Sequence, residues 1–185
     1  INIDIANSST LKGESILDMI KTLEAMECDM FIVRHSSSGT PHYIAKEVGD
    51  KISIINAGDG IHAHPTQAML DMYTIKKHKG GFENLNVSIV GDILHSRVAK
   101  SLIASLKILS VANINIIGPK NLMPENINEL GVNYFSNLEE GINNVDVIIM
   151  LRLQQERMKE AFISTEDYYN DYGLTKKKIE LAKKD

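Results

Sequence analysis

Hydrophobic and polar positions along the chain switch repeatedly between a period of two and a period near 3.6, the two spacings that separate strands from helices. The first five residues alternate Ile-Asn-Ile-Asp-Ile, as in a strand already inside a sheet, and the chain reads as a piece of a longer protein. A polar loop at residues 7–10 leads to a helix after Gly13-Glu14 with Ile16, Ile20 and Leu23 on one face. A buried strand is predicted at 29–34, then a Ser-Ser-Ser-Gly loop at 36–39, a helix around 43–48 and a strand at 52–56. After Gly58-Asp59-Gly60 a helix starts at His64-Pro65, where proline suits the first turn, and runs to Gly80-Gly81 with Lys76, Lys77 and Lys79 in its last turn. Beyond the glycine pair the alternation restarts: strand 86–90, helix 96–109, strand 113–117, helix near 126–130, a short strand at Tyr134, helix 138–143 and strand 147–151. The lysine-rich tail after Thr175 predicts a charged amphipathic helix with a solvated surface.

Strands that alternate with helices favour parallel sheets, so the expected class is α/β, with two parallel-sheet domains joined near Gly80. With 43% hydrophobic residues the chain can bury a substantial core. A net charge of −4 offers no general attraction to nucleic acid or to an anionic membrane, so anion binding must come from individually placed basic groups. One cysteine, Cys28, excludes an internal disulfide framework and a cysteine-rich zinc site; it precedes an apolar strand and is expected to be a buried, inert thiol. A reducing compartment, the cytoplasm, is the expectation, and no apolar run approaches the roughly 18 residues of a membrane span.

In open α/β sheets, ligands bind beyond the carboxyl ends of the strands, where loops and helix N-termini present backbone donors. The notable polar residues of this chain fall there: Arg34 and His35 after one strand, residues 58–67 after the next, 91–97 after the third, and Arg152 and Gln154 after the last. Three arginines, a histidine and a glutamine in one cleft would suit a small, multiply anionic substrate, because a guanidinium pairs two oxygens at once. Taken singly, each arginine also fits a surface ion pair. His64, beside a helix N-terminus, is favoured as a neutral imidazole able to donate to a carbonyl; the alternative is a capping role. His62 and His64 form a His-x-His pair with no third ligand indicated, so no metal is expected. Gly91-Asp92 after a strand lacks the further glycines of a dinucleotide fingerprint, and no phosphate-binding loop of the nucleotide triphosphatase type is present.

The segment IINAGDGIHAHPTQAMLD at 54–71 is similar to the signature of the aspartate carbamoyltransferases, as are LKGES at 11–15, VRH at 33–35, GDILHSRVA at 91–99 and MLRLQQER at 150–157. The His-Pro-x-Gln element is shared with ornithine carbamoyltransferases, so the aspartate assignment rests on the later segments. The resemblance implies a partial carbamoyl phosphate-binding domain at 1–63, an interdomain helix at 64–80 and a partial aspartate-binding domain at 81–185. It implies that Arg34 contacts the phosphate of carbamoyl phosphate, His64 its carbonyl oxygen and Gln67 its amino end. Arg97, Arg152 and Gln154 match positions that hold L-aspartate, and Lys12 matches a lysine that enters the neighbouring subunit's site. A homotrimer with shared active sites follows from this, with no cofactor, and with a regulatory chain or dihydroorotase as conceivable partners.

The implied reaction is transfer of the carbamoyl group to the aspartate amine in pyrimidine biosynthesis. The family's Ser-Thr-Arg-Thr-Arg segment and His-Pro-x-Pro loop would lie outside residues 1–185, so the piece alone is expected to be inactive. The alternatives are a sibling enzyme with another acceptor, such as ornithine, and a non-catalytic scaffold.

Overall fold

The computed structural model of the chain describes residues 13–154 and 164–184. The chain divides into two compact units, Ile1–Thr66 and Gln67–Asp185.

In the first unit, helix α1 (Ile16–Ala25) starts at a capping box: Ser15 Oγ accepts from the Asp18 backbone N–H, and the Asp18 carboxylate accepts from the Ser15 N–H. Hydrogen bonds from Ser15 hold the Asp18 carboxyl below its ordinary range. Strands β1 (Met30–His35) and β2 (Ser53–Asp59) pair in parallel, with a register shift between Val33 and His35 that sets His35 opposite Asp59. Helix α2 (Thr40–Val48) connects them. Ile20, Val33, Ile44, Val48 and Ile52 form the core of this unit. The expectation of a buried β1 is corrected: only Val33 is buried, while Met30 and Ile32 are 53% and 69% exposed. An apolar run identifies a strand without saying which face is covered. Cys28 is likewise half-buried, not buried.

In the second unit, helix α3 (Pro65–Lys79) has its N-terminal turn at the division and buries Ala68, Met72 and Ile75 on one stripe. A four-stranded parallel sheet follows in the order β5-β4-β3-β6, built from β3 (Asn86–Val90), β4 (Asn113–Ile117), β5 (Asn133–Phe135) and β6 (Val147–Met150). Helix α4 (Arg97–Ile108) packs its buried Ala99, Leu102, Ile103 and Leu106 against Val87, Ile89, Ile114 and Ile116. Truncating a fully buried leucine such as Leu102 costs about 2–5 kcal/mol in such a core. On the other face, helix α5 (Leu138–Ile142) closes over Val90 and Ile117. Near α5 the buried Ser88 hydroxyl donates to the Gly141 carbonyl at 2.7 Å, and Asn115 donates to Ser88 Oγ and to the same carbonyl. Polar side chains on this sheet face are thus satisfied within the protein.

Four elements depart from the sequence reading. Residues 127–130 form a 3-10 turn instead of an α-helix, ended by Gly131 in the left-handed region. Helix α6 (Thr165–Tyr172) is absent from the sequence reading; Ser164 caps it, Tyr168 and Tyr172, four residues apart, pack on the Val90, Ile117 and Ile142 cluster, and the Tyr172 hydroxyl donates to the Ser136 carbonyl at 2.8 Å. Another 3-10 turn, Lys120–Leu122, buries Leu122 beyond β4. The lysine-rich tail contributes only the short helix α7 (Lys176–Ile179), and it is not simply solvated. Lys178 Nζ donates to the Asn170 and Asp171 carbonyls at the end of α6, and Lys183 pairs with Asp146 at 2.9 Å. The predicted first strand and the 7–10 loop lie outside the described residues.

Asp146 joins the tail to the sheet, since its carboxylate also accepts from the Asn86 backbone N–H at 2.8 Å. Burial alone would raise its pKa, but the Lys183 and Asn86 hydrogen bonds together outweigh that and lower it from 3.8. A depressed folded-state pKa gives stability that is present above the unfolded value and lost as pH falls through the folded one. Asp146→Asn should therefore lower the urea midpoint of the full-length protein at about pH 6, with a gap to wild type that narrows by about pH 3; a gap independent of pH would show that the ionised carboxylate contributes nothing.

Candidate active site

Each unit has Gly-Asp at or just after the carboxyl end of a strand and buries the aspartate. In the first, Asp59 is 2% exposed at the end of β2. Its Oδ1 accepts from the Gly39 N–H at 2.6 Å, and its Oδ2 lies 2.7 Å from His62 Nδ1. The carboxylate thereby joins the N-terminus of α2 to the loop after β2. The two loops interlock further: the Gly60 N–H donates to the His35 carbonyl at 2.9 Å, and the Ile61 N–H donates to Ser38 Oγ at 3.2 Å. Gly60 has φ +50°, and a Cβ there would come within 2.6 Å of the Ser38 nitrogen. His35 Nδ1 accepts from the Ser37 N–H at 3.0 Å, which assigns the proton of the neutral ring to Nε2.

Of the residues picked out in this unit, Arg34 is an exposed member of β1, beside the interlocked loops. His64 is half-buried immediately before α3, and its Nδ1 lies 3.3 Å from the Thr66 hydroxyl. A donation from that hydroxyl would set the proton of a neutral ring on Nε2. Gln67 is the third residue of α3, with its side-chain nitrogen donating to Asp71 Oδ1 at 3.1 Å. Lys12 lies outside the described residues.

In the second unit, strand order reverses around β3: β4 and β5 lie on one side and β6 on the other. The carboxyl ends of β3 and β6 thus form a topological switch point, the expected place for a ligand. Arg97 opens α4 behind the N-cap Ser96, while Arg152 and Gln154 follow β6, so the three predicted aspartate-binding residues sit on the two segments that leave this point. Asp92, fully buried, ties the segments together: Oδ1 accepts from the His95 N–H at 3.0 Å and Oδ2 from the Gln154 N–H at 3.2 Å. His95 Nδ1 lies 3.0 Å from Asp92 Oδ1 and, facing a carboxylate, carries a proton. Gly91 allows the approach, since a Cβ on it would lie 2.9 Å from the Leu151 carbonyl oxygen. Arg152 is exposed, and Arg97 and Gln154 are half-buried.

Sequence reasoning missed Asp59, Asp71, Asp92 and Tyr168. The Tyr168 hydroxyl is buried without a hydrogen-bond partner among the described residues; burial, then the nearby Asp92 charge, pushes its pKa up to about 12. The available signal was the repeated Gly-Asp-x-x-His at 58–62 and 91–95. A cavity of about 820 Å³ lined by Ile93, Leu94, Ile103 and Met123 includes none of the predicted site residues. Among the described residues, no three His, Cys, Asp or Glu side chains are grouped to hold a metal.

The aspartate/ornithine carbamoyltransferase carbamoyl-P binding domain matches residues 1–77, and the Asp/Orn binding domain of the same family matches residues 83–185. The chain belongs to the aspartate/ornithine carbamoyltransferase family. Among solved structures, it is similar to aspartate transcarbamoylase from Trypanosoma cruzi in complex with carbamoyl aspartate and phosphate, at 29% identity and a TM-score of 0.84, over 100% of this chain and 60% of that one. The same enzyme with carbamoyl phosphate and aspartate matches at 28% identity and TM-score 0.83, over 100% and 60%. Its complex with N-(phosphonacetyl)-L-aspartic acid matches at 28% identity and TM-score 0.77, over 100% and 59%. The chain therefore spans about 60% of the length of these carbamoyltransferases. Two parallel-sheet α/β domains of the carbamoyltransferase type, expected from the sequence, are what the structure and these matches show.

The close approach at Gly60 sets a stability test. Gly60→Ala combines a positive φ with a steric conflict against backbone, and should destabilise the full-length protein by about 1–3 kcal/mol. An unchanged thermal midpoint would show that the loops at 36–38 and 60–63 need no such contact.

Proposed function

We propose that the full-length protein transfers the carbamoyl group of carbamoyl phosphate to the amine of L-aspartate, giving N-carbamoyl-L-aspartate and phosphate. The observation that carries this reading is the switch point of the second sheet, where Asp92 bonds the Gln154 backbone and joins the Arg97 and Arg152 segments. Two guanidinium groups there suit the two carboxylates of aspartate, and an ornithine side-chain ammonium would meet like charge.

In this reading Arg34 pairs with the phosphate, His64 donates to the carbonyl oxygen and Gln67 meets the amino end of carbamoyl phosphate. Arg97, Arg152 and Gln154 hold aspartate so that its uncharged amine faces the carbonyl carbon. Attack forms the new C–N bond and places negative charge on the carbonyl oxygen. The tetrahedral intermediate collapses by breaking the C–O bond to phosphate, and the attacking nitrogen loses a proton. His64 acts where charge develops, which is where a fixed donor lowers the barrier most. The arginines act earlier, by holding two reactants in near-attack geometry. Assembly as a homotrimer, with Lys12 reaching a neighbouring site, a role early in pyrimidine synthesis and a cytoplasmic location belong to the same proposal and are supported by the sequence resemblance.

The test is carbamoyl aspartate formation by the full-length protein, with ornithine as the control acceptor. Turnover with aspartate and none with ornithine is expected; the reverse preference, or no turnover, would overturn the reading. His64→Ala should lower kcat by about 10²–10³ with a small change in KM. Arg97→Ala should raise the KM for aspartate by roughly 10–100-fold while leaving that for carbamoyl phosphate nearly unchanged. Steady-state kinetics with each substrate varied separates these outcomes from general damage.

A further inference from the structure

Gln67 and Asp71 stand one turn apart on α3, both half-buried, with Gln67 Nε2 donating to Asp71 Oδ1 at 3.1 Å. This contact decides which way the Gln67 amide faces. An ionised carboxylate only accepts hydrogen bonds, so the NH₂ end must turn toward Asp71 and Oε1 must occupy the opposite edge of the amide. Rotating the amide by half a turn would set two oxygens against each other at a half-buried position, an arrangement that is both repulsive and unsatisfied. Asp71 thus removes the two-fold ambiguity of a glutamine, which could otherwise present either a donor or an acceptor.

We infer that Asp71 is a positioning residue that presents Gln67 Oε1 as an acceptor, and so makes the site selective for an acyl phosphate bearing N–H groups over one bearing a methyl. The inference rests on the proposed contact between Gln67 and the amino end of carbamoyl phosphate. Asp71 itself touches no reacting atom; it acts through Gln67. Without it the amide spends part of its time with NH₂ toward the ligand's own NH₂, which pairs donor with donor. The phosphate and carbonyl contacts, made by Arg34 and His64, are independent of Asp71. Its removal should therefore weaken recognition of the amino group alone.

The probe is acetyl phosphate, in which a methyl replaces the amino group of carbamoyl phosphate. In the full-length protein, the KM for carbamoyl phosphate and the inhibition constant of acetyl phosphate are measured for wild type, Asp71→Ala and Asp71→Asn. Asp71→Ala should raise the KM roughly tenfold and leave the acetyl phosphate constant unchanged, shrinking the preference between the ligands by the same factor. Asp71→Asn keeps the size but offers Gln67 either an oxygen or an NH₂, which restores the two-fold ambiguity, and should also lose most of the preference while leaving the acetyl phosphate constant unchanged. Gln67→Leu and the Gln67→Leu/Asp71→Ala double variant should match each other, because Asp71 has no effect once the amide is gone. Equal weakening of both ligands in Asp71→Ala would overturn the inference by showing a merely structural role, and so would an unchanged preference. If Asp71→Ala fails to fold, full retention of the preference in Asp71→Asn overturns the claim and its loss with an unchanged acetyl phosphate constant, alongside the same loss in Gln67→Leu, supports it. Absence of wild-type turnover with aspartate would instead overturn the transfer reading and this inference with it, whereas turnover with an unaltered preference overturns this inference alone.

Discussion

A buried carboxylate at the end of a parallel strand must be satisfied by donors from the loops around it, and in this protein that requirement shapes the candidate residues' surroundings in each unit. Asp59 and Asp92 are 2% and 0% exposed, and each is held by a backbone N–H from a distant segment and by a histidine three residues on. Leaving such a charge unpaired costs several kcal/mol, so the loops have little freedom to drift. The loop after β1 is locked to the loop after β2, and the segment leaving β6 is locked to the one leaving β3. In the proposed function, Arg34, Arg97 and Arg152, which stand in or beside these locked segments, meet their anions with the ordering cost met during folding and not during binding.

The two units reach this arrangement by the same local sequence, Gly-Asp-x-x-His. Glycine at the strand end leaves room for a neighbouring chain segment: beyond Gly91 lies the Leu151 carbonyl, and the residue after Asp59, Gly60, faces Ser38. Apolar packing supplies the frame in which this works. Val87, Ile89 and Val90 on β3 are fully buried, so the strand that leads into Asp92 is fixed on both faces before any polar contact is counted.

Much of this was legible in the sequence, and the limits have physical causes. β3 and β4 were placed as observed because short segments rich in Val and Ile, set between helical patterns, have few other solutions, and α4 because its apolar stripe and Ser96 cap agree. Arg97, Arg152 and Gln154 stand out by the rule that parallel sheets bind ligands at their carboxyl ends, and they lie on the segments that leave β3 and β6. The exposure of Ile32 was not legible, because periodicity cannot say which face has a neighbour. Helix α6 was missed because its packed side is two tyrosines among acidic residues, seated on the Val90, Ile117 and Ile142 cluster, with a tail lysine bonded at its end. Asp59, Asp71 and Asp92 were passed over because an aspartate beside glycine, or on a helix, reads as a turn or solvated residue until its tertiary partner is known.

The central claim is that one site takes an anionic acyl phosphate and a dicarboxylic amine side by side. Calorimetric titration of the full-length protein with N-(phosphonacetyl)-L-aspartate, which joins a phosphonate to an aspartate in one molecule, tests it most directly. The account predicts one saturable site per chain, weakened by Arg97→Ala and by Arg34→Ala alike. Binding that is absent, or that survives the loss of either arginine unchanged, would contradict it.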